Sequence, residues 1–317
     1  MTYSFACDTF LSVHSQNLGG RMLILDFDGT LTDVEEEGVP FTEGYLRDLA
    51  ALTGSSLEQI RELHARFQAE ILGDPTRYAW VMNGLAVAPA TVDPYLRIKP
   101  IAAMILDELG IVLPTRFREN LFSDILYRDN YRLTRTAFRA GAVELLTEVF
   151  TQEMPAAIVT NSHTDAVLSK LLVLAGLYSS KDEALFAERL FGFWRERVYG
   201  GAKKYVVDNN GDSGTTKLEF KLSGLDRPIF CKRPHYFDLL QRLRSERGLV
   251  WADFLVVGDI FELDLALPLI LGANVALMRS PTTPSYEIDF LGTRVNARVL
   301  DSISQILPHY RETRTAA

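Results

Sequence analysis

The sequence predicts an α/β protein built on a doubly wound parallel sheet, with a helical domain inserted after its first strand. Three observations predict this. Short runs of branched apolar residues, MLILD, PAAIVTNS, DFLVVGD and ANVALM, have the composition of strands buried on both faces. Amphipathic stretches fall between the later runs, so strand and helix alternate. Between Val34 and Tyr127 the texture turns wholly helical.

Each element has its own signal. MLILD (22–26) opens the sheet. FTEGYLRDLAAL, SSLEQIRELHARFQAEILG, PYLRIKPIAAMILDELG and PTRFRENLFSDILYRD carry apolar residues at three-and-four spacing, with Ser55, Asp93, Pro94 and Pro114 where caps and first turns belong. PTRYAWVMNGLAVAPATVDP is the least regular piece of that unit; it groups Arg77, Tyr78, Trp80 and Asn83, any one of which could serve as a lid contact. Arg128, Arg132, Arg135 and Arg139 form a basic stripe if their segment is helical, or an extended return to the sheet if it is not. AGAVELLTEVF, HTDAVLSKLLVLAG, RPHYFDLLQRLRSERG and ELDLALPLILG read as helices, and ERLFGFWRERVYGG as a packed helix with solvated arginines. KKYVVDNNGDSGTTKLEFKL (203–222) has two β-favouring arms around a glycine and aspartate turn, a hairpin inserted in the core. The expected domains are therefore a core of residues 1–33 and 136–317 and a helical domain of residues 34–135.

A chain of 317 residues, 47% of them hydrophobic, can bury a sizeable core. Its formal charge of −8 argues against a sequence-independent hold on nucleic acid, which needs a basic field. No apolar run is long enough to span a bilayer, and the first 20 residues lack the form of a secretion signal, so no membrane partner and a cytoplasmic location are expected. Cys7 and Cys231 form no metal or redox motif, and His14, His64, His163, His235 and His309 are too scattered for a zinc site.

In doubly wound sheets ligands sit beyond the carboxyl ends of the strands. The polar residues found there are Asp26, Asp28, Gly29 and Thr30 after MLIL, Thr160 and Asn161 after AAIV, Lys232 and Arg233 before Pro234, and Asp259 and Asp264 after FLVVG. Their types suit one chemistry. A carboxylate can attack a phosphate dianion only if a divalent cation neutralises the approach, and aspartates are the oxygen donors Mg²⁺ prefers. Asp28 is then free to act as general acid and base. Gly29 gives a sharp exit with backbone N–H groups for an anion, Thr160 and Asn161 offer donors to phosphoryl oxygens, and a lysine offers positive charge to the transition state.

This set resembles the haloacid dehalogenase superfamily of phosphohydrolases, with DFDGTLTD as first motif, Thr160 as second, Lys232 as third and VVGDIFELD as fourth. The resemblance implies a Rossmann-like core, with the helical domain as the cap inserted after the first motif. It also implies an aspartyl-phosphate on Asp26, Mg²⁺ held by Asp26, the backbone carbonyl of Asp28 and Asp259, and Asp264 supporting the metal or the lysine. The third motif departs from pattern: the lysine usually stands directly before proline, whereas Arg233 holds that place here and is the rival to Lys232. Asp28 favours phosphate esters over halides, because a departing halide needs no proton. The expected function is a Mg²⁺-dependent phosphatase of a small phosphorylated metabolite. A phosphomutase would use the same residues, and a binding or regulatory protein could retain the fold.

Overall fold

Met22–Leu25, the first strand (β1), is four apolar residues with no exposed side chain, and its neighbours on either side are two more such runs. The computed structural model describes residues 20–176, 181–208 and 219–313. Its further strands are, in chain order, β2 (Ala79–Met82), β3 (Leu85–Pro89), β4 (Ala156–Val159), β5 (Val198–Tyr199), β6 (Glu219–Phe220), β7 (Ile229–Phe230), β8 (Phe254–Gly258), β9 (Asn274–Met278) and β10 (Ala297–Leu300). Six of them form one parallel sheet in the order β10-β9-β8-β1-β4-β5.

The side-chain period of two splits this sheet between two cores. Met22, Ile24, Ala157, Val159, Phe254, Val256, Val275 and Leu277 face one apolar cluster. Leu23, Leu25, Ala156, Ile158, Leu255, Val257, Ala276 and Met278 face the other. Helix Pro234–Glu246 covers the first face, and helices Ala142–Thr151 and Thr164–Ala175 the second. Burial on both sides is why the strands read as unbroken apolar runs, and the fold is the doubly wound α/β class expected.

Helices Val34–Thr53, Leu57–Gly73 and Pro94–Glu108 and the segment 115–131 gather around a separate cluster that includes Phe41, Tyr45, Leu49, Ile60, Ile101 and Ile105. Asp33, Ser56 and Asp93 cap the three long helices, each accepting from a backbone N–H in the first turn; the second cap is Ser56 rather than Ser55. The two chain crossings between this unit and the sheet lie side by side. Thr32 bridges Phe138, Asp33 N–H donates to Ala137 O and Arg139 N–H to Leu31 O. Residues 128–131 are helical and residues 134–139 carry no helix, so the four arginines do not form one stripe.

Three elements differ from expectation. The irregular stretch of the helical unit is an antiparallel hairpin, β2 with β3, turning at Asn83 and Gly84, both with positive φ, the backbone that a tight two-residue turn requires. Val198–Tyr199 adds an edge strand to the sheet where a helix was expected to continue. The described part of 203–222 is not a hairpin: residues 203–208 form no strand, and Glu219–Phe220 pairs instead with Ile229–Phe230, while residues 209–218 lie outside the described residues. No helix among the described residues is long and apolar enough to cross a membrane.

Candidate active site

The register Leu25↔Val257, continued by Asp26 N–H donating to Val257 O at 2.8 Å, ends β1 and β8 side by side. Asp26 and Asp259 therefore leave the sheet together. Asp264 returns to them in the wide-turned helical segment Phe261–Leu265, and its Oδ2 accepts from Ile260 N–H at 3.0 Å. Oxygens of Asp26, Asp259 and Asp264 lie within 4.8 Å of one another, all three residues buried. Thr30, buried, sets its hydroxyl between Asp26 Oδ2 (3.1 Å) and Asp259 Oδ1 (3.3 Å).

One ammonium enters this cluster. Lys204 Nζ donates to Asp26 Oδ1 at 2.6 Å and to Asp264 Oδ1 at 2.8 Å, with 1% of its side chain exposed. Burial works against its charge, but Asp26 and Asp264 outweigh that and hold its pKa above the ordinary range. Burial pushes Asp26 up to about 7 even with Lys204 beside it, and burial together with Asp26 and Asp264 drives Asp259 well above the usual carboxylate range. Three carboxylates with one ammonium are undercharged on the positive side. A divalent cation taking Asp26 and Asp259 would relieve that imbalance, so the donor set fits Mg²⁺. Asp264, with one oxygen on Lys204 and the other on Ile260 N–H, serves the lysine.

Asp28 lies across the mouth of the cluster. Lys170 Nζ donates to its Oδ1 at 2.9 Å, and Ser162 Oγ to its Oδ2 at 2.5 Å; Thr160 Oγ1 reaches Oδ2 only at 3.5 Å and accepts from Ser162 N–H. Lys170 also donates to Glu37 Oε2 at 2.8 Å. Glu37 is itself buried, accepting from Thr32 Oγ1 and Ala137 N–H. Burial opposes the Lys170 charge, yet Asp28 and Glu37 together keep its pKa raised.

The structure thus brings Asp26, Asp28, Thr30, Thr160, Asp259 and Asp264 together, and the lysine it places beside them is Lys204 rather than the expected Lys232. Lys232 is half exposed and paired with Asp208 at 2.7 Å. Arg233, the rival, is buried, but it donates to the backbone carbonyls of Phe230, Lys204 and Val87, so it braces the Lys204 loop and the β2–β3 hairpin. Asn161 accepts from Lys204 N–H at 2.7 Å, fixing the same loop. Gly29 does not hold its N–H open for an anion, since that N–H lies 3.3 Å from Thr32 Oγ1. Its use is space: φ is +82°, and a Cβ there would come within 2.1 Å of Asp259 Oδ2. Sequence reasoning missed Lys204, Lys170, Glu37 and Ser162. None of them carries a local sequence signal: the strand before Lys204 is only the pair Val198–Tyr199.

A cavity of about 460 Å³ opens above these residues, walled on the far side by the helical unit through Trp80, Asp93, Tyr95, Tyr127 and Tyr131. Trp80 meets Tyr205 with ring centroids 5.3 Å apart.

Two measurements check this geometry. In metal-free protein the raised Asp26 pKa means the folded state holds a proton that the unfolded chain releases near pH 4. This site's contribution to stability therefore falls as pH rises from about 4 to about 7. Added Mg²⁺ is expected to raise the thermal unfolding midpoint, and to do so more at pH 8 than at pH 5. Lys204→Met, leaving buried carboxylates unpaired, is expected to cost about 3 kcal/mol in urea unfolding, whereas Lys232→Met at an exposed pair is expected to cost under about 1 kcal/mol.

No family model matches the chain, and no curated protein matches it in sequence. Among solved structures it is similar to a haloacid dehalogenase family hydrolase from Deinococcus radiodurans with bound phosphate and sodium, at 17% identity and TM-score 0.46, covering 93% of this chain and 96% of that one. It is also similar to a hydrolase of the same family from Bacillus subtilis bound to magnesium, at 14% identity and TM-score 0.45, covering 92% and 98%. A third, described as a predicted phosphoglycolate phosphatase from Haemophilus somnus, matches at 13% identity and TM-score 0.47, covering 91% and 97%. At such identities and scores, what the site can do is read from its own residues.

Proposed function

We propose that this chain is a Mg²⁺-dependent phosphohydrolase of a small phosphorylated metabolite, working through an aspartyl-phosphate on Asp26. The observation that carries the reading is Lys204 held between Asp26 and Asp264 inside a cluster of three carboxylates. That arrangement presents a carboxylate nucleophile on the lining of the cavity with a fixed positive charge behind it. A cytoplasmic setting suits Cys231, a buried free thiol.

An Asp26 oxygen attacks phosphorus, forming an O–P bond as the ester P–O bond breaks, and the leaving oxygen takes a proton from Asp28. Water then attacks the acyl phosphate, giving its proton to Asp28; the bond from phosphorus to Asp26 breaks and inorganic phosphate leaves. Lys204 stabilises the charge that develops on the phosphoryl oxygens. Asp26, Asp259 and the Asp28 carbonyl would hold Mg²⁺, which when bound supplies the charge that lets a carboxylate meet a phosphate dianion.

Asp28 accepts at both oxygens, from Ser162 Oγ and from Lys170 Nζ. For the first half-reaction it must itself carry a proton. Ser162 Oγ, which can turn from donor to acceptor, is the partner able to accommodate it. Residues 34–135 act as the cap, closing over the cavity and excluding water during transfer.

With p-nitrophenyl phosphate and Mg²⁺, Asp26→Asn is expected to lower kcat at least about a thousandfold with the circular dichroism spectrum unchanged. Lys204→Met is expected to lower it about a hundredfold or more. Full turnover by Asp26→Asn would reject the nucleophile and with it the reading.

A further inference from the structure

The cavity beyond Asp28 is where the leaving group of such a reaction would sit, and its wall has two marked properties. It is aromatic: Trp80 and Tyr205 meet on one side, and on the other Tyr131 lies 5.6 Å from Tyr95 and stacks on Tyr127 at 5.8 Å, ring centroid to ring centroid. It is also acidic beyond what its own cations balance. Asp26, Asp28, Glu37, Asp93, Asp259 and Asp264 all line it, while Lys204 is committed to two of them and Lys170 to two others. Arg128 stands exposed on the lining.

Asp93 is the acid that the proposed chemistry does not use. Its Oδ1 accepts from Tyr95 N–H at 2.6 Å as the cap of helix Pro94–Glu108, and its Oδ2 has no hydrogen-bond partner among the described residues. Arg97, whose charge reaches it, donates to Glu35 and to the Thr91 carbonyl. With both lysines taken, an anionic leaving group would find Arg128 as the one lining arginine among the described residues to set against six carboxyl groups, and would meet net repulsion. Burial pushes the Asp93 carboxyl up to about 7, so beside a neutral sugar it would tend to keep its proton, whereas a cation beside it would favour the charged form. A cation satisfies the carboxylate and the electron-rich ring faces together.

We infer that the leaving group is cationic: the cavity takes the monophosphate ester of an amino alcohol, its ammonium lodged between Asp93 and the rings of Trp80, Tyr95, Tyr131 and Tyr205, while Tyr127, stacked on Tyr131 and covered by Lys99, backs that wall. This rests on the phosphohydrolase reading above and names its substrate class.

The test compares kcat/KM, in the presence of Mg²⁺, for esters matched in shape and differing in charge. Ethanolamine phosphate is set against n-propyl phosphate, and choline phosphate against its uncharged carbon isostere, with p-nitrophenyl phosphate reporting the chemistry alone. The wild-type enzyme is expected to favour the cationic member of at least one pair by about tenfold. In Asp93→Asn, which keeps the helix cap and removes the charge, that ratio is expected to fall at least about threefold. Hydrolysis of p-nitrophenyl phosphate without any charge preference overturns this inference and leaves the phosphohydrolase standing. Hydrolysis of none of the esters overturns both. A preference that persists undiminished in Asp93→Asn overturns Asp93 as the partner of the ammonium.

Discussion

Lys204 between Asp26 and Asp264 is the contact on which the rest of the arrangement depends. Three buried carboxylates in one another's reach repel, and an ammonium bonded to two of them lowers that repulsion without filling the space beside Asp259. The neighbouring structure keeps this balance. The parallel pairing of β1 and β8 delivers Asp26 and Asp259 together, and the absence of a side chain at Gly29 lets Asp259 close in. Lys204 has no regular element of its own to stand on, so its loop is fixed by hydrogen bonds from outside, Asn161 taking its N–H and Arg233 its carbonyl.

Arg233 shows how the sheet and the helical unit meet at the same place. A buried guanidinium must find acceptors for its donors, and here those acceptors are backbone carbonyls of Phe230, Lys204 and Val87. The last belongs to the β2–β3 hairpin. The apolar contact beside it, Ala88 and Val92 against Ile260 and Leu263, joins that hairpin to the segment that carries Asp264. Glu37 does the same on the other side, reaching from the first helix of the unit to Lys170 and so to Asp28. The cavity between sheet and helices is therefore bounded by charged contacts on both flanks.

The carboxylates are legible in the sequence because Asp26 and Asp259 directly follow buried apolar runs and Asp28 and Asp264 follow each of these closely, and the sheet topology converges such positions. Lys204 was not legible for the opposite reason. The strand before it is only Val198–Tyr199, too short to stand out, and the residues between turn through Gly200 and Gly201. Lys232 stands in the expected place, two residues before the helix that Pro234 begins, but its side chain is half exposed and paired with Asp208. Lys170 lies in the interior of a helix and Glu37 in a first turn beside Glu35 and Glu36, and nothing in local pattern distinguishes a charge that faces a distant partner from one that faces water. The β2–β3 hairpin is different again: the Asn83-Gly84 turn pair is there between two short apolar arms, and the surrounding helical texture conceals it. Two arms of similar β propensity around residues 209–218 suggested a hairpin, yet Phe220 pairs with Ile229, because strand partners are chosen by packing against Phe261 and Phe290 as well as by chain proximity.

The central claim is that Asp26 is the carboxylate that receives phosphorus, with Lys204 as the fixed cation beside it. Crystals soaked with Mg²⁺ and beryllium trifluoride, a mimic of a phosphoryl group on a carboxylate, test it most directly. The account predicts beryllium bonded to an Asp26 oxygen, a metal ion between Asp26 and Asp259, and Lys204 Nζ within hydrogen-bond distance of a fluoride. Density for the mimic on another residue, or an unmodified Asp26 at saturating concentrations of both, would contradict it.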